Sequence, residues 1–254
     1  MLEQWVWGNT PPGFRKIWLN RERLMLVHEE LDPYLIATRV LHPAGMREQS
    51  TSFCGRGILR RIRFGSGDEA LVRAYRHGGI LRRVTGEFFF TWPTRPFREL
   101  ALTEEVRQRG IPTLDILAAL VERSWGPFYR GWLVTRELGG AQDLWMALRN
   151  DVSVWTQKLL LQAVARSVRQ MHLQGVYHAD LNLKNILVRW GNGEIKTYVI
   201  DFDKARLYPH EVPLGQAQRN LNRLLGSVRK LDPNRQYLSE ENWAVFMDYY
   251  HQGP

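Results

Sequence analysis

The sequence predicts an α+β protein of two lobes, an antiparallel sheet in the first and a reduced, mainly helical second. Three observations carry this. Residues 58–76 alternate apolar and charged side chains as a hairpin does. Residues 153–173 and 214–231 space their apolar side chains as helices do. Gly139-Gly140 breaks the chain between the two styles, so the lobes are expected at 1–138 and 139–254.

The first 50 residues have no clear period. They hold Trp5, Trp7, Phe14 and Trp18, with a turn at Pro11-Pro12-Gly13. Ile58–Phe64 and Ala70–Tyr75 form the two arms of the hairpin, closed by Gly65-Ser66-Gly67-Asp68. A helix is expected from about Arg95 to Arg109, with Leu100 and Val106 inward and a stop at Gly110-Ile111-Pro112. Gly131–Leu138 reads as a strand.

A long helix follows, capped by Asp151 or Ser153 and ended by Gly175. Its inner stripe is Leu160, Val164, Val168 and Met171. Residues 178–185 are aperiodic. Ile186–Val188 and Ile195–Ile200 make a second hairpin around Gly191-Asn192-Gly193, with Asp201 at its end. The last strong helix spans Leu214–Leu231 and places Ala217, Leu221, Leu224, Leu225, Val228 and Leu231 on one face.

Composition narrows the function. Apolar residues are 44 % and charged residues 24 %, a globular balance that excludes a disordered chain. Cys54 is the sole cysteine, so no internal disulfide forms. The start, Met-Leu-Glu-Gln-Trp, lacks the features of a signal peptide. No uncharged apolar run reaches the ~18 residues that span a bilayer. A cytoplasmic protein is expected. Its net charge is +9, and between Arg56 and Arg83 eight Arg face only Asp68 and Glu69. Such a block suits a polyanion. Nucleic acid is disfavoured, because that stretch interleaves only Phe64 and Tyr75 among its arginines.

One constellation carries chemistry. His178-Ala179-Asp180-Leu181-Asn182-Leu183-Lys184-Asn185 precedes a hairpin, and Asp201-Phe202-Asp203 follows it. Phosphoryl transfer needs such parts, since its anionic transition state asks for positioning and charge neutralisation. Asp180 would face an acceptor hydroxyl as its base. Asn185 and Asp201 would offer oxygens to Mg²⁺. His178 would be a scaffold bonded to the backbone near Asp201. Upstream, Arg73 on a strand and Glu99 on a helix form a second candidate pair, with Arg76 competing for the role of Arg73. Gly55-Arg56-Gly57 is a thin glycine loop that could lay amides over phosphates.

These motifs resemble the protein-kinase-like superfamily, whose signature is His-x-Asp-Leu-x-x-x-Asn followed by Asp-Phe-x. The resemblance implies ATP as co-substrate, Mg²⁺ as cofactor, and nucleotide contacts at Gly55, Arg56, Gly57, Arg73, Glu99, Glu137 and Leu138. Arg73 departs from the usual Lys. Only 51 residues follow Asp203, and Asn182 stands where protein kinases carry Lys. Both features point to a small-molecule kinase.

Further stretches are similar to the lipopolysaccharide-core sugar kinases, the Kdo (3-deoxy-D-manno-octulosonic acid) kinases above all. They are Leu71–Leu81, Phe97–Leu100, Arg109–Pro112, Thr135–Leu144, His178–Val188 and Asn220–Lys230. That likeness implies phosphorylation of the 4-hydroxyl of Kdo on a lipid A precursor, at the inner face of a bacterial inner membrane. A heptose or other glycolipid kinase and a nucleotide-binding pseudokinase are the alternatives. The implied partners are the glycolipid and an anionic membrane, with no nucleic acid and no protein partner inferred. Arg219, Arg223 and Lys230, or the Arg60–Arg63 row of the first hairpin, are expected to meet the acceptor's anions.

Overall fold

The computed structural model describes residues 10–41, 59–64, 68–75, 89, 94–125, 128–150, 153–191 and 193–252. Their contacts divide the chain into two units, residues 1–105 with 114–137, and residues 106–113 with 138–254. Residues 106–113, read from sequence as part of the first lobe, group with the second unit.

The first unit is built on a six-stranded antiparallel sheet. Its strands are β1 (Phe14–Trp18), β2 (Arg23–His28), β3 (Leu59–Phe64), β4 (Asp68–Ala74), β5 (Ile116–Arg123) and β6 (Tyr129–Arg136), in the order β1-β2-β5-β6-β4-β3. The hairpin read from residues 58–76 is β3–β4. Its register pairs Phe64 with Asp68, so Asp68 belongs to the strand and not to the turn. Residues 65–67 lie outside the described residues.

Side-chain alternation gives each strand two faces. Met25, Val27, Ile62, Val72, Leu120 and Val134 fill one. There they meet Ile36, Ala37 and Val40 of helix α1 (Pro33–Leu41). Leu26, Ala119, Val121 and Leu133 fill the other, with Leu100 of helix α2 (Arg95–Gln108) and the rings of Tyr75, Phe89 and Tyr129. Part of the N-terminal region, which had no readable period, therefore adds two strands and a helix that covers one face of the sheet. β5 was also missed. Its run Ile116–Val121 is buried on both faces, so it shows no alternation.

The second unit holds α3 (Leu144–Arg149), α4 (Val154–Leu173), α5 (Leu214–Leu231) and α6 (Glu240–Gln252). Ser153 caps α4, its hydroxyl accepting from Thr156 N at 3.2 Å. The competing cap, Asp151, lies outside the described residues. The predicted stripe Leu160, Val164, Val168 and Met171 is fully buried. Gly175 follows with φ +72°, and a side chain there would collide with the carbonyls of Tyr208 and His210.

Two small sheets complete the unit. β7 (Gln142–Asp143), β9 (Ile186–Gly191) and β10 (Glu194–Val199) pair in the order β10-β9-β7; β8 (Val176–Tyr177) pairs with β11 (Arg206–Leu207). α5 has the limits its periodicity predicts, but Leu225 and Leu231 are only half-buried. α6 was not anticipated, although Trp243, Phe246 and Tyr250 follow helical spacing. It packs along α4.

Candidate functional site

The second unit assembles the aperiodic loop 178–185 from both ends. Val199 opposite Ile186 closes the β9–β10 ladder. One step further, Ile200 N donates to Asn185 O at 3.0 Å. The hairpin thus sets Asp201 beside the end of the loop. Asp201 has φ +70°, the left-handed region that few residues other than Gly, Asn and Asp enter. The neighbouring structure holds it there: Phe202 is fully buried, its ring 5.0 Å from that of His178.

His178 is buried, and its tautomer follows from its partners. Nδ1 accepts from Asp180 N at 3.1 Å, so Nε2 carries the proton and donates to Ile200 O at 2.8 Å. Burial pushes the ring's pKa down. The Ile200 carbonyl and the carboxylates of Asp201, Asp180 and Asp203 pull against that shift. Through its two ring nitrogens, His178 ties the backbone of Asp180 to that of Ile200, the residue before Asp201.

The amides divide their work. Asn182 Nδ2 donates to Asp180 O at 2.8 Å and its Oδ1 accepts from Lys184 N at 2.9 Å, so both ends are used within the loop. Asn185 Nδ2 donates to the same Asp180 O at 3.0 Å. The Asp180 side chain is 54 % exposed, and its partner among the described residues is Arg223 Nη1 at 3.8 Å.

α5 clamps the loop through residues the sequence reading did not single out. Asn220 Nδ2 donates to His178 O at 2.6 Å, and Asn220 Oδ1 accepts from His178 N at 3.1 Å. Ser227 Oγ accepts from Leu183 N at 3.1 Å. Asn220, Arg223 and Ser227 share one face of the helix. A polar Asn inside an apolar stripe was the available signal. Arg219 and Lys230 are exposed on α5, about one turn before and two turns after Arg223.

Behind Asn220 the network continues. Its Oδ1 also accepts from His172 Nε2 at 3.1 Å, and His172 Nδ1 accepts from the Tyr250 hydroxyl at 2.7 Å. Burial lowers the His172 pKa to about 4. The folded state thus favours the neutral ring, and the unfolded chain binds more protons below pH 6.5. Stability contributed by His172 is full above that value and is lost as pH falls towards 4, by about 3 kcal/mol. Thermal unfolding scans from pH 7 to pH 4 should show this fall, and His172→Gln should flatten part of it.

In the first unit, Glu99 is buried and accepts from both Arg73 Nη2 and the Tyr75 hydroxyl. Burial, then the Glu99 charge, raises the Tyr75 pKa well above its ordinary value. Tyr75 stands two residues from Arg73, on the same strand face, and was not anticipated. Removing Arg73 takes a charged partner from a buried carboxylate that keeps the Tyr75 hydroxyl, so Arg73→Ala should cost about 3 kcal/mol in denaturant titrations, with Arg73→Lys recovering part.

Glu137 pairs with Arg61, and its N–H donates to Glu69 O at 2.9 Å. In the second unit, Leu138 O accepts from Ala141 N at 3.1 Å. Gly55, Arg56 and Gly57, and the competitor Arg76, lie outside the described residues.

The donor set fits Mg²⁺. Asn185 and Asp201 offer hard oxygens, and no cluster of three or more His, Cys, Asp or Glu among the described residues makes a protein-only metal cage. Magnesium is held in that way when phosphates complete its shell. No helix of the described residues is long and apolar enough to cross a membrane.

Residues 49–250 match the model of the lipopolysaccharide kinase (Kdo/WaaP) family. A 3-deoxy-D-manno-octulosonic acid kinase from Mannheimia succiniciproducens is 31 % identical over 188 residues, 72 % of this chain and 76 % of the relative. One from Xylella fastidiosa is 31 % identical over 196 residues, 75 % and 74 % of the two chains. Among solved structures, WaaP in complex with acyl carrier protein superposes with a TM-score of 0.58 at 18 % identity, covering 91 % of this chain and 89 % of that one. That likeness confirms the α+β, protein-kinase-like fold. With the loop, the hairpin-end aspartate and these matches in place, the chain belongs to the lipopolysaccharide kinase (Kdo/WaaP) family and is a phosphotransferase acting on an alcohol group.

Proposed function

We propose that the protein transfers the γ-phosphate of ATP to the 4-hydroxyl of a Kdo residue on a lipid A precursor. One observation carries the chemistry. Asp180 presents a half-exposed carboxylate from a loop whose backbone is tied down by His178, Asn182, Asn185 and Asn220. The choice of acceptor is supported by relatives named as Kdo kinases.

In this reading Asp180 orients the acceptor hydroxyl and takes its proton as the oxygen bonds to the γ-phosphorus. The bond from that phosphorus to the β–γ bridging oxygen breaks, and ADP leaves. Asn185 Oδ1 and the Asp201 carboxylate would hold Mg²⁺, which supplies neutralising charge to the triphosphate. Arg73, fixed by Glu99, meets phosphate as a planar fork. Gly55, Arg56, Gly57, Glu137 and Leu138 are the further nucleotide contacts that the kinase resemblance implies. Arg219, Arg223 and Lys230 meet anions of the glycolipid, and the basic surface rests on an anionic bilayer at the cytoplasmic side of the inner membrane.

The test is an incubation with ATP, Mg²⁺ and Kdo-lipid A precursor, with free Kdo and a heptose acceptor in parallel. Phosphate at the 4-position, located by phosphorus–proton correlation spectroscopy, is the expected product. Transfer to heptose alone would replace the acceptor. Tight nucleotide binding with no transfer to any of them would make this a pseudokinase.

A further inference from the structure

The anchors of α5 fix more than the loop. Asn220 and Ser227 hold the helix against residues 178–183, and Arg223 lies between them on that same face. That face sets the Arg223 guanidinium beside Asp180 of the loop. Arg223 remains 50 % exposed, with Nη1 3.8 Å from Asp180 Oδ1. A charge-assisted hydrogen bond of this type closes to about 2.7–2.9 Å. The 3.8 Å separation leaves the guanidinium's donors unsaturated by the carboxylate beside it. Helix α5 contains no Asp or Glu, and Arg219 one turn away adds charge of the same sign. A planar cation with donors to spare thus stands next to the proposed base, on a helix with no anion of its own to quench it.

We propose that Arg223 is a specificity residue that reads an acid group on the acceptor. This rests on the sugar-kinase reading above and deepens it. A carboxylate or phosphate close to the reacting hydroxyl takes the outer edge of the guanidinium in bidentate fashion. The hydroxyl is then presented to Asp180, whose position relative to Arg223 fixes the spacing. The preferred substrate is a sugar acid or sugar phosphate whose acid group lies within one residue of the hydroxyl phosphorylated. Neutral alcohols of the same shape lose that anchor.

The experiment compares free Kdo with its carboxamide, for the wild type and for Arg223→Gln. Binding is measured by saturation-transfer NMR in the presence of ADP, and transfer is measured with ATP. Wild type should prefer the acid about 100-fold, and Arg223→Gln should reduce that preference to about threefold by losing the acid while keeping the amide. Arg223→Lys, which keeps the charge without the fork, should fall between. Equal losses of acid and amide in Arg223→Gln would show that Arg223 merely supports the loop, and would overturn the proposal. An undiminished acid preference in the variant would overturn it too. Discrimination in binding without transfer to any Kdo acceptor would remove the proposed function and leave the role of Arg223 standing. Transfer without discrimination would do the reverse.

Discussion

Asp180→Asn should lower phosphoryl transfer by roughly 10²–10⁴-fold while nucleotide affinity stays near that of the wild type. Asn keeps the volume and its oxygen still faces Arg223, so the fold has no reason to change. The backbone of residue 180 is held independently, its N–H by His178 and its carbonyl by Asn182 and Asn185. What disappears is the only group in the loop able to accept the acceptor's proton. Single-turnover transfer together with nucleotide titration by calorimetry checks both halves. If more than a tenth of wild-type turnover survived, another residue would have to be the base.

Asp201→Asn should cost about 100-fold in activity and shift the Mg²⁺ requirement to higher concentration. Loss of a partner that merely orients a metal ligand already costs about 10–100-fold, and a direct ligand belongs at the upper end. The substitution is chosen for its backbone. Asn enters the left-handed region at least as readily as Asp, so φ +70° is kept and the change is confined to charge. Asp201→Ala would confound lost ligation with backbone strain. Turnover as a function of free Mg²⁺ reads the effect, and an unchanged titration midpoint would exclude Asp201 from the metal site.

Legibility in the sequence followed how local each feature is. The hairpins and the helices α2, α4 and α5 were readable because their apolar spacing is intrinsic to short windows. The loop 178–185 and Asp201 were readable because residue types at fixed offsets carried them. β5 was invisible because burial on both faces erases alternation. The partners of the loop were hidden for a different reason. Asn220 lies 42 residues from His178, and Tyr250 lies 78 residues from His172. Nothing in either neighbourhood announces the other end of such a bond. Tyr75 was missed because a strand tyrosine usually reads as packing, whereas here its hydroxyl shares the Glu99 carboxylate with Arg73. Arg223 was expected to face the acceptor only as one member of an exposed row; its station beside Asp180 depends on which face of α5 the loop selects.

The chain of hydrogen bonds from His178 through Asn220 and His172 reaches Tyr250 in helix α6. During synthesis the loop residues 178–185 leave the ribosome long before that tyrosine does. A nascent chain stalled before residue 240 would carry every proposed catalytic group and still lack the far support of its loop. The loop's full support is therefore complete only once α6 has been made and packed along α4.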